Sequence, residues 1–313
     1  MLSSLLAIIV PTFGIVAVGW FCRQRGIFNG AAVHGLNAYA YYIALPALIF
    51  ESVFQQATHS RLTAVDIRYL IGLAVAHVIV LVLGALVLRW TRREVRAIGP
   101  VLLTFGSTAY LGIPFATFAF GPAGTVYAAL GSVVLVVVVL FASLVTLNRH
   151  GKRETPVATW HQLLELPFLW VVLIGALLPL VGIRSLPEFL TRTIAILAGS
   201  AGPTALLALG AFQYGLKLDR IPWGWASTLG IAKVVLPTAA TYVVLTLLGV
   251  SGLHLAVGTA LAATSVAVTA FVLSDEYRIG RELTAGALMT STPASLAVLT
   301  FLSWLWLATE AFR

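Results

Sequence analysis

The sequence predicts an all-α membrane protein with ten transmembrane helices, arranged as two inverted halves of five helices each. Three observations predict this fold class. Of the 313 residues, 60% are hydrophobic and only 10% are charged, whereas a soluble domain carries about 25% charged residues. Apolar runs of membrane-spanning length recur along the whole chain. Proline and glycine residues recur between the two halves at a nearly constant offset.

Ten apolar runs are long enough to cross the hydrocarbon core, which needs roughly 20 residues per helix. The links between them are too short for a soluble domain. Of the basic residues in the links and at the chain end, thirteen lie on one side of the membrane and five on the other. Because basic loops stay inside, both termini are expected outside the cytoplasm. The predicted spans are 4–22, 33–54, 67–88, 98–120, 124–147, 162–182, 190–213, 225–248, 253–274 and 283–308.

An internal repeat divides the chain into residues 1–150 and 151–313. An odd number of spans in each half inserts the second half upside down. Transporters with such inverted repeats bind substrate near the midplane, where corresponding helices are interrupted. The matched pairs are Pro11 and Pro167, Gly19 and Gly175, and Gly26 and Gly182, each 156 residues apart, and Pro46 and Pro203, 157 apart.

Prolines in the middle of spans 2, 4 and 7 mark candidate helix breaks, because proline removes a backbone hydrogen bond. Span 4 is the best candidate, since Gly112 and Pro114 weaken it beside several polar side chains. Span 9 corresponds to span 4 and has no proline, although Ser265 follows Ser107 by 158 residues. Kinked packing helices and hydroxyls bonded to their own helix remain the alternative. The polar groups are Ser107, Thr108 and Tyr110 in span 4 and Thr264, Ser265 and Thr269 in span 9.

Two ionisable residues lie inside predicted spans. Lys233 lies roughly 12 Å along span 8. It could hold helix carbonyls, stand in for a sodium ion or release a proton; alternatively, its long stem could reach the cytoplasmic surface. We favour a functional role, because an intramembrane charge is costly. His77 in span 3 is either a proton relay or, more simply, a neutral imidazole bonded to a neighbouring helix.

Several short stretches recur in a consistent order and spacing and are distributed over nearly the whole chain. They are LNAYAYYIALPALIF at 36–50, LGIP at 111–114, ALLALG at 205–210, AFVLSDEY at 270–277, and Thr292 with Ser295 in span 10. Together they resemble the auxin efflux carrier family of plant auxin exporters and their bacterial relatives. The resemblance implies a scaffold domain, a transport domain, and helices 4 and 9 that cross in the membrane centre. It also implies carriage of organic anions, such as malate or malonate in bacteria, a lysine like Lys233, and a dimer.

The sequence departs from the family pattern at the implied crossing. Ser107 stands where the family usually has an Asn, seven residues before the span-4 proline. Ser265 and Thr269 stand where span 9 usually has a proline and an Asn. A hydroxyl is shorter than an amide and offers one donor where Asn offers two. These departures leave open both the substrate and whether span 9 is broken without its usual proline.

The predicted function is secondary carriage of a small organic anion across a bacterial inner membrane by alternating access. Substrate is expected between spans 4 and 9, near backbone amides exposed by a break at Gly112 and Pro114. The predicted substrate residues are Ser107, Thr108, Tyr110, Gly112, Pro114, Ser265 and Thr269. The predicted charge or coupling residues are Lys233 and His77, and the helix-breaking residues are Pro46 and Pro203.

Two other functions remain open: an anion channel and a ligand-sensing receptor of the same fold. An enzyme is not expected. Gly249-Val250-Ser251-Gly252 matches a short intramembrane-protease pattern, with His254 close by, but it lies in a surface turn. We expect no metal, no cofactor and no nucleic-acid partner. The expected partners are the anion, the bilayer and a second copy of the chain, with proton or sodium coupling undecided.

Overall fold

The computed structural model describes residues 2–59, 62–150, 164–216 and 219–308, and these are helical apart from short connections and one isolated β-bridge. The predicted loop between spans 5 and 6 lies largely outside the described residues, as do Arg61, Lys217 and Arg313. The helices are α1 (Leu2–Gln24), α2 (Gly30–Tyr39), α3 (Leu45–His59), α4 (Ala64–Leu88), α5 (Arg93–Thr104), α6 (Ile113–His150), α7 (Pro167–Leu180), α8 (Glu188–Tyr214), α9 (Trp223–Leu247), α10 (Gly252–Ala262), α11 (Val268–Glu276) and α12 (Arg281–Ala308).

Seven helical segments among the described residues are long and apolar enough to cross a membrane, and α7 and α10 are shorter apolar helices. One of the seven, Thr108–Asn148, covers the second half of predicted span 4 and all of span 5. Gly121 lies between these two predicted spans and has the non-helical angles φ 65° and ψ −156°. The chain can therefore change direction at this point within one long segment.

The helices pack as two groups. In the first group, α1 packs on α8, and α3 packs on α7 and α8. In the second group, α9 packs on α12 and α4, α4 packs on α5, and α10 packs on α6. The contacts of α1 and α3 with α6 join the two groups.

Glycine lets α1 and α8 approach with their backbones in contact. A Cβ atom at Gly19 would lie 2.2 Å from the carbonyl oxygen of Leu207, and one at Gly210 would lie 1.9 Å from that of Val16. Neither position can hold a larger side chain without moving a helix. Small residues at such contacts are typical of helix pairs in membranes.

Prolines shape the helices without breaking them at the predicted positions. A π turn at Ala40–Ala44 precedes Pro46, and the helix then continues as α3. Proline has no N–H for the carbonyl four residues earlier, and a wider i→i+5 turn accommodates this loss. Helix α8 continues through Pro203. The prediction of helix breaks at Pro46 and Pro203 is therefore wrong, because both helices remain continuous around the proline.

Candidate substrate site

Two helix interruptions meet in the second helix group. Helix α5 ends at Thr104, and a π turn begins at Thr108 and leads into α6. Helix α10 ends at Ala262, and α11 begins at Val268. We call residues 105–107 the first break and residues 263–267 the second break. Span 9 is therefore broken although it has no proline.

The first break lies before Gly112 and Pro114, where the sequence predicts the helix to break. Gly112 ends the π turn, and Pro114 is the second residue of α6. The π turn at Thr108–Gly112 accommodates the missing N–H of Pro114, as the turn at Ala40–Ala44 does for Pro46. The expected break at Gly112 and Pro114 is thus displaced by about two turns, to Phe105–Ser107.

A short antiparallel bridge joins the two breaks at Gly106 and Val266. The Ser107 N–H donates to the Ser265 carbonyl at 2.8 Å, and the Ala267 N–H donates to the Phe105 carbonyl at 2.9 Å. Each break thereby satisfies backbone groups that its own helix leaves unpaired. This crossing fixes the register of the two chain segments relative to each other.

Side chains from α9 and α12 hold the second break. The Lys233 Nζ atom donates to the carbonyls of Ala262 at 2.9 Å and Thr264 at 2.8 Å. Lys233 has no exposed surface, so the alternative in which it reaches the cytoplasmic surface is wrong. A cation at the C-terminal end of α10 also opposes the negative end of the helix dipole.

Two serines of α12 complete this support. The Ser295 hydroxyl donates to the Ala263 carbonyl at 2.7 Å, and the Val266 N–H donates to the Ser291 hydroxyl oxygen at 2.9 Å. Both serines are fully buried. Three consecutive carbonyls of the second break region, at residues 262–264, therefore each receive a side-chain donor.

A cavity of about 710 Å³ borders the crossing, where the two helix groups meet. Ligand pockets are commonly about 300–1,000 Å³. Helix α2 and the following π turn, which both pack on α8 of the first group, line the cavity together with Phe168 and Phe212. The second group contributes the first break, the π turn after it and the start of α11. We call this space the central cavity.

Four of the seven predicted substrate residues line the central cavity. They are Ser107, Thr108, Tyr110 and Thr269. The other three are buried beside it: Ser265 in the bridge, Gly112 against Leu261, and Pro114 near Gly202.

Two hydroxyls at the crossing have no hydrogen-bond partner among the described residues. These are the Thr108 and Ser265 side chains, and both are buried. An unpaired buried hydroxyl is unfavourable. Of the two, Thr108 lines the central cavity, where its hydroxyl could bind a ligand or water.

His77 lies in α4, away from the cavity lining. Its side chain is buried, and Nδ1 is hydrogen-bonded to the Leu73 carbonyl of the same helix at 2.9 Å. Leu73 lies one turn earlier in the same helix. This hydrogen bond therefore lies within α4 and does not join α4 to a neighbouring helix, as the simpler interpretation expected.

Residues that the sequence did not single out also form the site. Asn37 of α2 lines the cavity, and its carbonyl accepts a hydrogen bond from the Tyr110 hydroxyl at 3.2 Å. A Cβ atom at Gly106 would lie 2.6 Å from the Thr264 Oγ1 atom and 3.0 Å from the Lys233 Nζ atom. The sequence could not indicate this close approach, because the register of spans 4 and 9 at their crossing is not visible in it.

The protease-like pattern does not form a nucleophile and base pair. Ser251 is exposed in the turn before α10. His254 is instead paired with Asp66 of α4, with 2.7 Å between Nε2 and Oδ1. The imidazole also lies 4.0 Å from the Tyr127 ring, measured between centroids. This pair joins the N-terminal ends of α4 and α10.

The fold and the site define a helical membrane protein with a buried polar crossing beside a cavity. A family model described as membrane transport protein matches residues 4–304. The chain belongs to this family, and the resemblance to the auxin efflux carriers is confirmed. It is therefore a membrane transport protein.

Two full-length relatives are also named as transporters. A "Putative malonate transporter" of Rhizobium meliloti (strain 1021) is 25% identical over 319 residues, covering 97% of this chain and 96% of the relative. An uncharacterized transporter of Methanocaldococcus jannaschii is 24% identical over 302 residues, covering 93% of this chain and 95% of the relative.

Proposed function

We propose that this transporter is a secondary carrier that binds a small carboxylate at the crossing and moves it by alternating access. The observation that carries this proposal is the convergence of two helix N-termini on the central cavity. The π turn that leads into α6 begins at Thr108, α11 begins at Val268, and both residues line the cavity.

Helix N-termini favour anions for two reasons. Their first N–H groups have no acceptor within the helix, and the helix dipole places partial positive charge there. Carboxylates and phosphates bind at such positions in many proteins. In this proposal, the Thr108 hydroxyl and the exposed Thr269 side chain add donors beside the backbone amides.

Lys233 has a supporting role in this proposal. Its ammonium group opposes the negative C-terminal end of α10 beside the crossing. No sodium ion is needed to occupy the same carbonyls. We therefore propose that Lys233 is a fixed charge of the crossing, with substrate contact made by the amides and hydroxyls.

The arrangement of the chain is proposed to be the ten-helix inverted repeat, with halves 1–150 and 151–313. In support, Gly26 and Gly182 both adopt positive φ, at 73° and 93°, just after α1 and α7. Gly121 and Arg278, 157 residues apart, also share positive φ, at 65° and 50°. Ten spans result when α2 and α3 are joined through their π turn, α5 is joined to the first part of α6, α10 is joined to α11, and α6 is divided at Gly121.

The two helix groups are proposed to move against each other during transport, because the central cavity lies between them. We further propose an inner-membrane location with both termini outside the cytoplasm, and a homodimer. Malonate is the first substrate to test, because the name of one relative includes it. The proposal includes no cofactor or nucleic acid, and it leaves proton or sodium coupling to experiment.

Solid-supported membrane electrophysiology of proteoliposomes tests this function. Concentration jumps of malonate, succinate, lactate and indole-3-acetate are applied with and without sodium and a pH step. The control is protein-free liposomes, and radiolabelled exchange is measured in parallel to detect electroneutral transport. We expect saturable flux for at least one carboxylate. Non-saturating current would indicate a channel, and binding without flux or exchange would indicate a receptor.

A further inference from the structure

A second cavity, of about 730 Å³, adjoins the central cavity. Gly30, Val33 and Phe212 line both spaces, so the two are neighbours. The second cavity is lined mainly by helix ends and links, with basic and acidic side chains together, and we call it the link cavity. Its basic residues belong to links that the sequence predicts to be cytoplasmic, and they are Arg23, Arg220 and Arg281.

An aromatic contact lies at the boundary of the two cavities. Phe212 is near the end of α8, and Phe271 is in α11. Their rings lie 5.5 Å apart, measured between centroids, with an interplanar angle of 77°. Phe271 lines the link cavity and Phe212 lines both cavities. This edge-to-face pair, a favourable arrangement of two rings, therefore stands where one cavity meets the other.

The ring contact joins the two helix groups. Helix α8 belongs to the first group, whereas α11 packs on α12 and α5 of the second group. Both rings are half-buried. A relative movement of the groups that separates α8 from α11 would therefore break this contact.

A hydrogen bond between side chains joins the same two groups next to Phe212. The Gln213 Nε2 atom of α8 donates to the Thr292 Oγ1 atom of α12 at 2.7 Å. Gln213 is buried. The Thr292 hydroxyl donates its own hydrogen to the Leu288 carbonyl at 3.1 Å, so its oxygen is free to accept from Gln213. We call Phe212, Gln213, Phe271 and Thr292 the latch.

The second helix group holds Phe271 in position. The Arg281 guanidinium lies over the Phe271 ring, 5.5 Å from its centroid. Arg281 also lies 3.2 Å from the Asp275 carboxylate. These contacts stay within α11 and α12, so they would move together with the second group. The contacts of the latch, in contrast, cross from one group to the other.

We propose that the latch holds the two helix groups together at the boundary of the central cavity and the link cavity, and that it opens and closes in each transport cycle. This inference rests on the proposed alternating access. The ring pair and the neutral hydrogen bond are each modest interactions, so they can be broken and remade repeatedly. Separating the partners of a buried ion pair would be far more costly. When the latch opens, the carboxylate passes between the two cavities.

Cross-linking tests the latch in the full-length protein. The single cysteine of the chain is removed by Cys22→Ser, and Phe212→Cys and Phe271→Cys are introduced together. A short bifunctional methanethiosulfonate reagent links the two cysteines in proteoliposomes, and dithiothreitol releases them. We expect linking to reduce carboxylate flux about tenfold or more and the reductant to restore it, because the groups can no longer separate at this contact. The flux of the same protein before linking is the reference.

Asp275→Cys with Arg281→Cys is the matched control for the cross-link. These two side chains are also in contact, but both belong to the second group. Linking them with the same reagent is expected to leave flux within about twofold of the unlinked protein. An equal loss of flux in both double-cysteine proteins would overturn the latch, because the reagent would then act without locking the groups together.

Thr292→Val and Thr292→Ser test the hydrogen bond of the latch without measuring flux. Valine has a similar shape to threonine but offers Gln213 no acceptor, whereas serine keeps the hydroxyl. Both are made in the protein with cysteines at positions 212 and 271. We expect the reagent to link these cysteines about threefold more slowly in Thr292→Val and at the parent rate in Thr292→Ser, because a weakened latch is open for longer. Equal linking rates in the two variants would overturn the role of Gln213 and Thr292.

The outcomes distinguish the latch from the transport function. Carboxylate flux that is unchanged after complete linking of positions 212 and 271 overturns the latch and leaves the proposed transport intact. If the wild type moves none of the carboxylates and exchanges none, the proposed function itself fails, and the latch fails with it.

Discussion

The two helix breaks at the crossing are stabilised in different ways. In the first break, the backbone of Phe105 and Ser107 is bonded to the second break, and Pro114 follows two turns later. The second break has no proline, yet it is longer. Its carbonyls are held by Lys233 and Ser295 from other helices. Donors from neighbouring helices can therefore maintain a break that the local sequence does not show.

This difference predicts that the crossing depends more on α9 and α12 than on Pro114. The second break has its own supporting side chains, and the first break depends on the second through the bridge. Changes to the donors of the second break should therefore have larger effects than removal of the proline. The following substitutions test that order.

Lys233→Met is expected to have the largest effect. It removes a buried cation and leaves two carbonyls without their donor, at a cost of about 3 kcal/mol in the free energy of unfolding. We expect carboxylate flux to fall about 100-fold or more, because the crossing loses its geometry and its fixed charge. Flux is measured in proteoliposomes and stability by thermal unfolding of the purified protein.

Thr241→Val is the matched control for Lys233→Met. Thr241 lies in the same helix and is fully buried, but its hydroxyl has no partner among the described residues. We expect near wild-type stability and flux. A lysine variant that behaved like this control would contradict the supporting role of Lys233.

Gly106→Ala is expected to have the next largest effect. The new methyl group would overlap Thr264 and Lys233 at the bridge, and such overpacking costs about 1–3 kcal/mol. We expect flux to fall about tenfold. Gly224→Ala is the control, because its Cβ would meet nothing within 4 Å. Equal flux in the two variants would argue against a close crossing at Gly106.

Ser295→Ala is expected to have a moderate effect. The Ala263 carbonyl would lose its donor, at a cost of about 1–2 kcal/mol. Ser303→Ala provides a control in α12, since Ser303 is buried and its hydroxyl has no partner among the described residues. Thermal unfolding of the two variants should differ, with Ser295→Ala the less stable. Identical melting temperatures would remove Ser295 from the support of the second break.

Pro114→Ala is expected to have the smallest effect of this series. The alanine supplies an N–H that lets the preceding π turn relax toward regular helix, while the break at residues 105–107 keeps its bridge. We expect flux within about threefold of wild type, since the pair of breaks is retained. A larger loss of flux than in Lys233→Met would reverse the order inferred from the two breaks.

The sequence predicted the membrane helices well because their signal is local. Apolar runs 4–22, 67–88 and 225–248 correspond to α1 (Leu2–Gln24), α4 (Ala64–Leu88) and α9 (Trp223–Leu247). Hydrophobic length determines such spans almost independently of their neighbours. The helix ends moved by only a few residues, because capping and link residues extend the helices beyond their apolar cores.

The site was predicted in part, and its errors have a common physical cause. Polar residues in apolar spans pointed to Ser107, Thr108, Tyr110 and Thr269, which line one cavity, and their contact with substrate stays a prediction. The predicted positions of the helix breaks were wrong, because a proline affects only the backbone hydrogen bonds of its own turn. The interruption at 263–267 depends on donors from Lys233 and Ser295, which are distant in sequence and become visible only when the helices pack.

The most direct test of carboxylate binding at the crossing compares Thr108→Val with Thr108→Ser. Both keep a small side chain in the π turn, but only serine retains the hydroxyl that has no partner within the described protein. The account predicts that KM for the transported carboxylate rises about tenfold in Thr108→Val and stays near wild type in Thr108→Ser. An unchanged KM in Thr108→Val, with normal thermal unfolding and flux, would contradict binding at this site.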